Sequence, residues 1–131
     1  MRAGLFSITQ RWRTSQMENT TKFEYKGKEI KLVFNLNVMQ SIQEEYKTVD
    51  AWGKLTDGES GEVDIKALIF GLTAMINEAI DIDNDENGTN EPFFSPKQVG
   101  RIITDVGLAK ATKALNQTVI DATKDDSGKN A

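Results

Sequence analysis

Side chains that could bind a metal ion are concentrated in one acidic segment, residues 81–94. Gly88 and the oxygen-bearing residues around it match positions one, three, five, six and nine of the twelve-residue calcium loop of EF-hands. Position twelve of that loop should be a bidentate Glu, but here it is Phe94. The sequence therefore predicts no metal site and a polar connector at residues 81–94. Were calcium to bind, its ligands would be Asp83, Asp85, Asn87 and Glu91.

Composition excludes most catalytic chemistry. The 131 residues contain neither Cys nor His. Disulfides, thiol nucleophiles and zinc-thiolate clusters are therefore excluded, as is every mechanism that needs an imidazole base. The sequence also lacks a phosphate-binding glycine loop and a GxSxG elbow. We predict that the chain is not an enzyme, has no catalytic residues and binds no cofactor, and that it serves binding or assembly instead.

Charge divides the chain into two unequal parts. There are 16 basic and 20 acidic residues, which give a net charge of -4, and no face-forming basic cluster. Nucleic acid is therefore not expected as a partner, and no apolar run approaches the ~20 residues that span a bilayer. Residues 1–20, whose only charges before Met17 are arginines, are predicted to be a disordered basic extension. A single domain is predicted at 21–123, followed by a flexible tail at 124–131.

Two stretches of alternating apolar and charged residues predict a β-hairpin. The dipeptide Lys26-Gly27 separates them, and a two-residue loop there would place Phe23 opposite Ile30. Because a lone hairpin is marginally stable, its apolar face needs a helical cover. The residues of that face are Phe23, Tyr25, Ile30, Leu32 and Phe34.

Helical periodicity begins directly after the hairpin. The first helix could start at Asn35, with Phe34 packing on Met39, or at Asn37, with Gln40 closing a capping box. Its apolar stripe comprises Met39, Ile42, Tyr46, Val49 and Trp52. A polar loop is predicted at 53–62.

The second predicted helix, capped by Asp64, is apolar over more than half its circumference and should be the most buried element. Gly71 in its middle suggests close packing against a neighbour. Met75 could belong to a partner-binding surface, although Met at helical spacing is more typical of a core.

The segment Ser95-Pro96 with Gln98 three positions after Ser95 predicts a capped helix start. The apolar phase changes at Gly107, so a short helix should end there and a final helix should run to about Thr123. Together these elements predict an α+β fold that is mostly α, with an N-terminal β-hairpin packed on a bundle of about four helices.

Two aromatic residues precede the capped helix. Phe94 stands at the position from which a side chain packs onto the first helical turn, against Val99. Phe93 either completes the core or remains exposed as an apolar contact for a partner. Phe93, Phe94 and Met75 are thus the candidate partner-binding residues.

The order of these elements resembles the tail assembly chaperones of long-tailed bacteriophages and related prophages. The resemblance covers about residues 23–120 and rests on short, mainly structural motifs. These are "FEYKGKEIKLVF", "NLNVMQSIQEEY", "DIKALIFGL" and "SPKQVGRII". The acidic segment at 81–94 is longer than the connector expected in that family, and the basic extension lies outside its pattern.

The resemblance implies a role in assembly without catalytic residues. Such a chaperone binds the tape measure protein, keeps it soluble and helps the tail-tube protein to assemble around it. It acts in the host bacterial cytoplasm, is absent from the mature virion and could associate with copies of itself. Two alternatives stay open: a calcium-responsive helix-loop-helix module using the four ligands named above, and a structural phage protein at a head-tail or tube junction.

Overall fold

The computed structural model describes residues 21–58 and 61–130, so the predicted extension at residues 1–20 lies outside the described residues. The fold is α+β and mostly α, as predicted. A two-stranded hairpin is followed by helices that pack around one core. The elements are β1 (Thr21–Tyr25), β2 (Lys28–Leu32), α1 (Leu36–Tyr46), α2 (Val49–Thr56), α3 (Ile65–Asn87), α4 (Pro96–Val106) and α5 (Leu108–Asn130).

The hairpin has the predicted register. Its strands are antiparallel, and Phe23 lies opposite Ile30. Lys26 and Gly27 both have positive φ, 53° and 75°, as a type I′ turn requires. The apolar face is turned inward, with β2 on α3 and β1 against α4 and α5.

The predicted first helix is two helices. Asn35, one of the two alternatives, caps α1 by accepting a hydrogen bond from the Val38 N–H at 3.2 Å. Lys47 ends α1 with a φ of 74°, and the Thr48 hydroxyl then caps α2 by accepting from the Ala51 N–H at 2.9 Å. Because of this break, the described residues form five helices where the sequence predicted about four. α2 also continues into the loop predicted at 53–62, since it ends at Thr56.

α3 is the central element, as predicted. Asp64 caps it by accepting from the Ala67 N–H at 2.9 Å. Met75 is fully buried in the core, so it does not belong to an exposed partner-binding surface. The buried residues of α3 are Ala67, Leu68, Gly71, Leu72, Met75, Ile76 and Ala79.

Gly71 allows α2 to approach α3 closely. The Trp52 indole lies against this glycine, and its Nε1 donates to the Ala67 carbonyl at 3.0 Å. The same indole stacks on Phe34, with ring centroids 6.2 Å apart. One tryptophan therefore joins the strand end, α2 and α3, and the predicted close packing at Gly71 is confirmed.

α3 is longer than the sequence predicted. It continues through the first half of the predicted connector and ends at Asn87, where Gly88 adopts a left-handed conformation with φ of 67°. Glycine is suited to this helix-ending position because it has no Cβ. The true connector is therefore residues 88–95.

The start of α4 and the boundary between α4 and α5 lie where the sequence predicted them. Both hydrogen bonds of the capping box between Ser95 and Gln98 are formed, at 2.8 and 3.2 Å. α4 ends before Gly107, whose φ is 103°, and α5 begins at once. No proline interrupts the last segment, and α5 runs to Asn130, past the end predicted near Thr123.

Candidate functional site

The candidate calcium ligands do not form a calcium loop. Asp83, Asp85 and Asn87 lie in the last turns of α3, where residues two apart point in different directions. Asp83 is already engaged, because its carboxylate accepts from the Lys31 ammonium at 2.8 Å. Glu91 lies beyond the helix in the connector. Among the side chains that the structure describes, no three acidic groups gather as they would around a metal ion.

Two asparagines on α3 hold the connector in place. Asn77 accepts from the Phe94 N–H at 2.8 Å and donates to the Phe94 carbonyl at 2.9 Å. Asn84 does the same with Glu91, at 2.9 and 3.1 Å, and also accepts from the Thr89 hydroxyl at 2.9 Å. Seven residues separate the two asparagines, which is two helical turns, so both face the connector. Sequence reasoning missed both residues, because it assigned Asn84 to the connector itself. Their spacing becomes meaningful only once α3 is known to continue to Asn87.

The two aromatic residues of the connector differ in burial. Phe94 is half-buried and packs against the core cluster, to which Val99 also belongs. The Lys28 ammonium lies 5.8 Å from its ring centroid, within reach of a cation–π interaction. Phe93 instead points to solvent and is 55% exposed. Asn77 hydrogen-bonds to the backbone of Phe94, which directly follows Phe93. The backbone that carries the exposed Phe93 side chain is therefore held in place.

Clefts lie on both sides of Phe93. One lies between α1 and α3, encloses about 220 Å³ and has Val38 and Ala74 among its apolar lining. The other lies between the end of α3 and the connector and is wider, at about 500 Å³. Both clefts include Phe93 and Asp81, and every charged residue that lines either of them is acidic: Glu78, Asp81, Asp85 and Glu91.

The acidic residues that line the two clefts differ in the hydrogen bonds and ion pairs that they make. Glu78 accepts hydrogen bonds from the side-chain amides of Asn35 and Asn37, at 2.7 and 3.0 Å. Asp81, Asp85 and Glu91 make no ion pair with any other part of the chain that the structure describes. We call Phe93 and these three unpaired carboxylates the Phe93 surface.

A third, smaller cavity lies behind the connector. It encloses about 150 Å³ between β2, α3 and the connector, and the ion pair of Lys31 with Asp83 stands at its edge. Its apolar lining is provided by Ile30, Ile76, Ala79, Ile80, Pro92 and Phe94.

Other large apolar side chains are exposed on separate elements. Among the described residues, Ile120 on α5 is 53% exposed and Ile65 at the start of α3 is 50% exposed. Scattered apolar residues of this kind are normal on protein surfaces. They provide matched controls for Phe93, which differs from them in being flanked by acidic clefts.

Comparison with known proteins leaves the family undetermined. Searches of the chain against protein-family models, curated proteins and solved structures return no match. No described helix combines the length and apolar content that crossing a bilayer requires.

Proposed function

We propose that this chain is a bacteriophage or prophage tail assembly chaperone. In this role it binds the tape measure protein in the host bacterial cytoplasm and keeps it soluble while the tail-tube protein assembles around it. The observation that carries the proposal is Phe93, a largely exposed aromatic side chain on an anchored connector between two clefts. The motif resemblance in residues 23–120 supplies the biological setting.

The anchored connector supports binding on energetic grounds. Fully burying a Phe side chain is worth about 1.5–3 kcal/mol relative to leaving it exposed. Ordering a flexible loop on binding would offset part of this gain. The four hydrogen bonds that Asn77 and Asn84 make to the backbone of Phe94 and Glu91 reduce that cost, because the loop is already ordered.

The chemistry of the surface fits recognition of helices. An amphipathic helix binds by placing its apolar stripe in a groove, with anchors at steps of three and four residues. The cleft between α1 and α3 offers apolar contacts from Ala74 and Phe93, above the buried Val38. Tape measure proteins are long and rich in helices, which makes them suitable partners for such a groove.

Co-expression tests the proposal directly. The tape measure protein of the same phage is produced with and without this chain, and with an unrelated small acidic helical protein as the control. We expect the tape measure protein to become soluble and to co-purify only with this chain. An unchanged insoluble fraction, with no co-purification, would contradict the proposal.

Analysis of finished virions separates the chaperone from a junction protein. Mass spectrometry of purified particles should detect the tail-tube and tape measure proteins but not this chain. Stoichiometric amounts of the chain in mature particles would favour the head-tail or tube junction role instead.

A further inference from the structure

We propose that the Phe93 surface binds a basic amphipathic helix. An apolar side chain of the bound helix packs on Phe93, and its Lys or Arg side chains contact Asp81, Asp85 and Glu91. This inference rests on the proposed function and names the chemistry of the segment that is bound.

Charge complementarity identifies the partner. The clefts on the two sides of Phe93 contain acidic residues and no basic ones. The two lysines that line the neighbouring cavity are occupied elsewhere: Lys31 pairs with Asp83, and Lys28 lies over the Phe94 ring. The three carboxylates of the Phe93 surface are therefore available to cations from outside the described part of the chain.

The positions of Asp81 and Asp85 on α3 are unfavourable without a partner. Asp81 and Asp85 are four residues apart on one helix, so their like charges face one another. Asp85 also lies in the last turn of α3, where the helix dipole disfavours negative charge, and this turn contains no basic residue. Cationic side chains placed between them would relieve both effects.

The same charges argue against other classes of partner. Nucleic acids and anionic membranes would be repelled by an acidic surface. An acidic helix would be repelled as well. A helix with one apolar stripe bordered by Lys or Arg matches both features, because residues three and four positions apart project from one face.

Designed peptides test the inference with defined probes. The first probe is a helical peptide of about five turns with a leucine stripe flanked by lysines, and the second replaces each lysine with glutamate. Binding to the full chain is measured by calorimetry and by fluorescence anisotropy. We expect the lysine peptide alone to bind, and its affinity to fall as NaCl rises from about 0.05 M to about 0.5 M.

Substitutions then locate the site. Phe93→Ser and the double variant Asp81→Asn/Asp85→Asn should each weaken binding of the lysine peptide by about tenfold or more. Ile120→Ser, which removes a side chain of similar exposure on α5, should leave the affinity unchanged. The double variant should also unfold at a higher temperature than the wild type, because it removes the unfavourable charges. Weaker binding by a protein that has become more stable would exclude misfolding as the cause.

The outcomes separate this inference from the proposed function. Equal binding of the two peptides, or full affinity in Phe93→Ser, would overturn the inference. If the tape measure protein co-purifies equally with wild type and Phe93→Ser, the inference fails and the chaperone function stands. If the lysine peptide binds through Phe93 but the tape measure protein is never solubilised, the inference stands and the chaperone function fails.

Discussion

Trp52 packs directly against Gly71 of α3, and this contact gives the sharpest test of the packing. A Cβ at this position would overlap the indole Cζ2 and would lie 3.0 Å from Cε2 and 3.1 Å from Nε1. The indole cannot simply move away, because its Nε1 donates to the Ala67 carbonyl and its ring stacks on Phe34. Gly71→Ala should therefore destabilise the fold.

The expected change in the free energy of unfolding combines one stabilising and two destabilising contributions. In an ordinary helix interior, replacing Gly with Ala stabilises by about 1 kcal/mol. Overpacking of a filled core typically costs about 1–3 kcal/mol, and leaving the buried indole N–H without its acceptor costs about 1–3 kcal/mol more. The net expectation for Gly71→Ala is a loss of about 1–5 kcal/mol in the free energy of unfolding.

Urea denaturation measures this loss, and Gly100→Ala provides the matched control. Gly100 also lies inside a helix, but a Cβ there would meet only the Ile69 Cδ1 at 3.7 Å, an ordinary contact. The control should be stabilised by up to about 1 kcal/mol. The denaturation midpoints should shift in opposite directions for the two variants, with similar slopes.

A Gly71→Ala protein as stable as the wild type, or more stable, would refute the packing argument. A double-mutant cycle sharpens the test. In a Trp52→Phe background, the side chain lacks the Nε1 and Cζ2 atoms, so adding Gly71→Ala should cost less than it does in the wild type. Equal costs in the two backgrounds would show that the indole is not the obstacle.

The remaining predictions concern Asn77, Tyr46 and the acidic segment. Asn77→Ala should cost about 1–3 kcal/mol and accelerate amide exchange at Phe94, because both hydrogen bonds to that residue are lost. The Tyr46 hydroxyl is buried and makes no hydrogen bond within the described residues, so Tyr46→Phe should stabilise by up to about 1 kcal/mol in thermal unfolding. Burial raises the pKa of Tyr46 above 10.0, with smaller contributions from Asp64 and Glu45. The unfolded chain therefore releases this proton first, and wild-type stability should decline above pH 10 by more than that of Tyr46→Phe. Calorimetric titration with calcium at micromolar concentration should give no heat of binding, whereas a saturable signal would contradict the helical account of the acidic segment.

Local sequence signals determined much of this fold. The hairpin register follows from a two-residue turn, because loop length sets which residues face one another. The start of α4 follows from Ser95, Pro96 and Gln98, which satisfy the first free N–H groups of the helix. Phe93 was a candidate for partner contact from its position beside Phe94, since only one of the two can occupy the stapling position. Each of these inferences depends on residues within a few positions of one another.

Contacts between distant residues decided what remained. The acidic segment is the end of α3 rather than a loop, and the pairing of Asp83 with Lys31 of β2 could not be anticipated from spacing. Trp52 of α2 packs against Gly71. The sequence did not reveal the break between α1 and α2, because the apolar residues from Met39 to Trp52 have the spacing of one continuous helix.

The candidate site itself belongs to the tertiary structure. Its connector is held by hydrogen bonds between Asn77 and Phe94, 17 residues away. One of its clefts lies between α1 and α3, and the other lies between the end of α3 and the connector. Sequence periodicity reports which face of an element is apolar. Which faces meet, and which side chain is left in solvent between them, is determined by the packing of the whole chain.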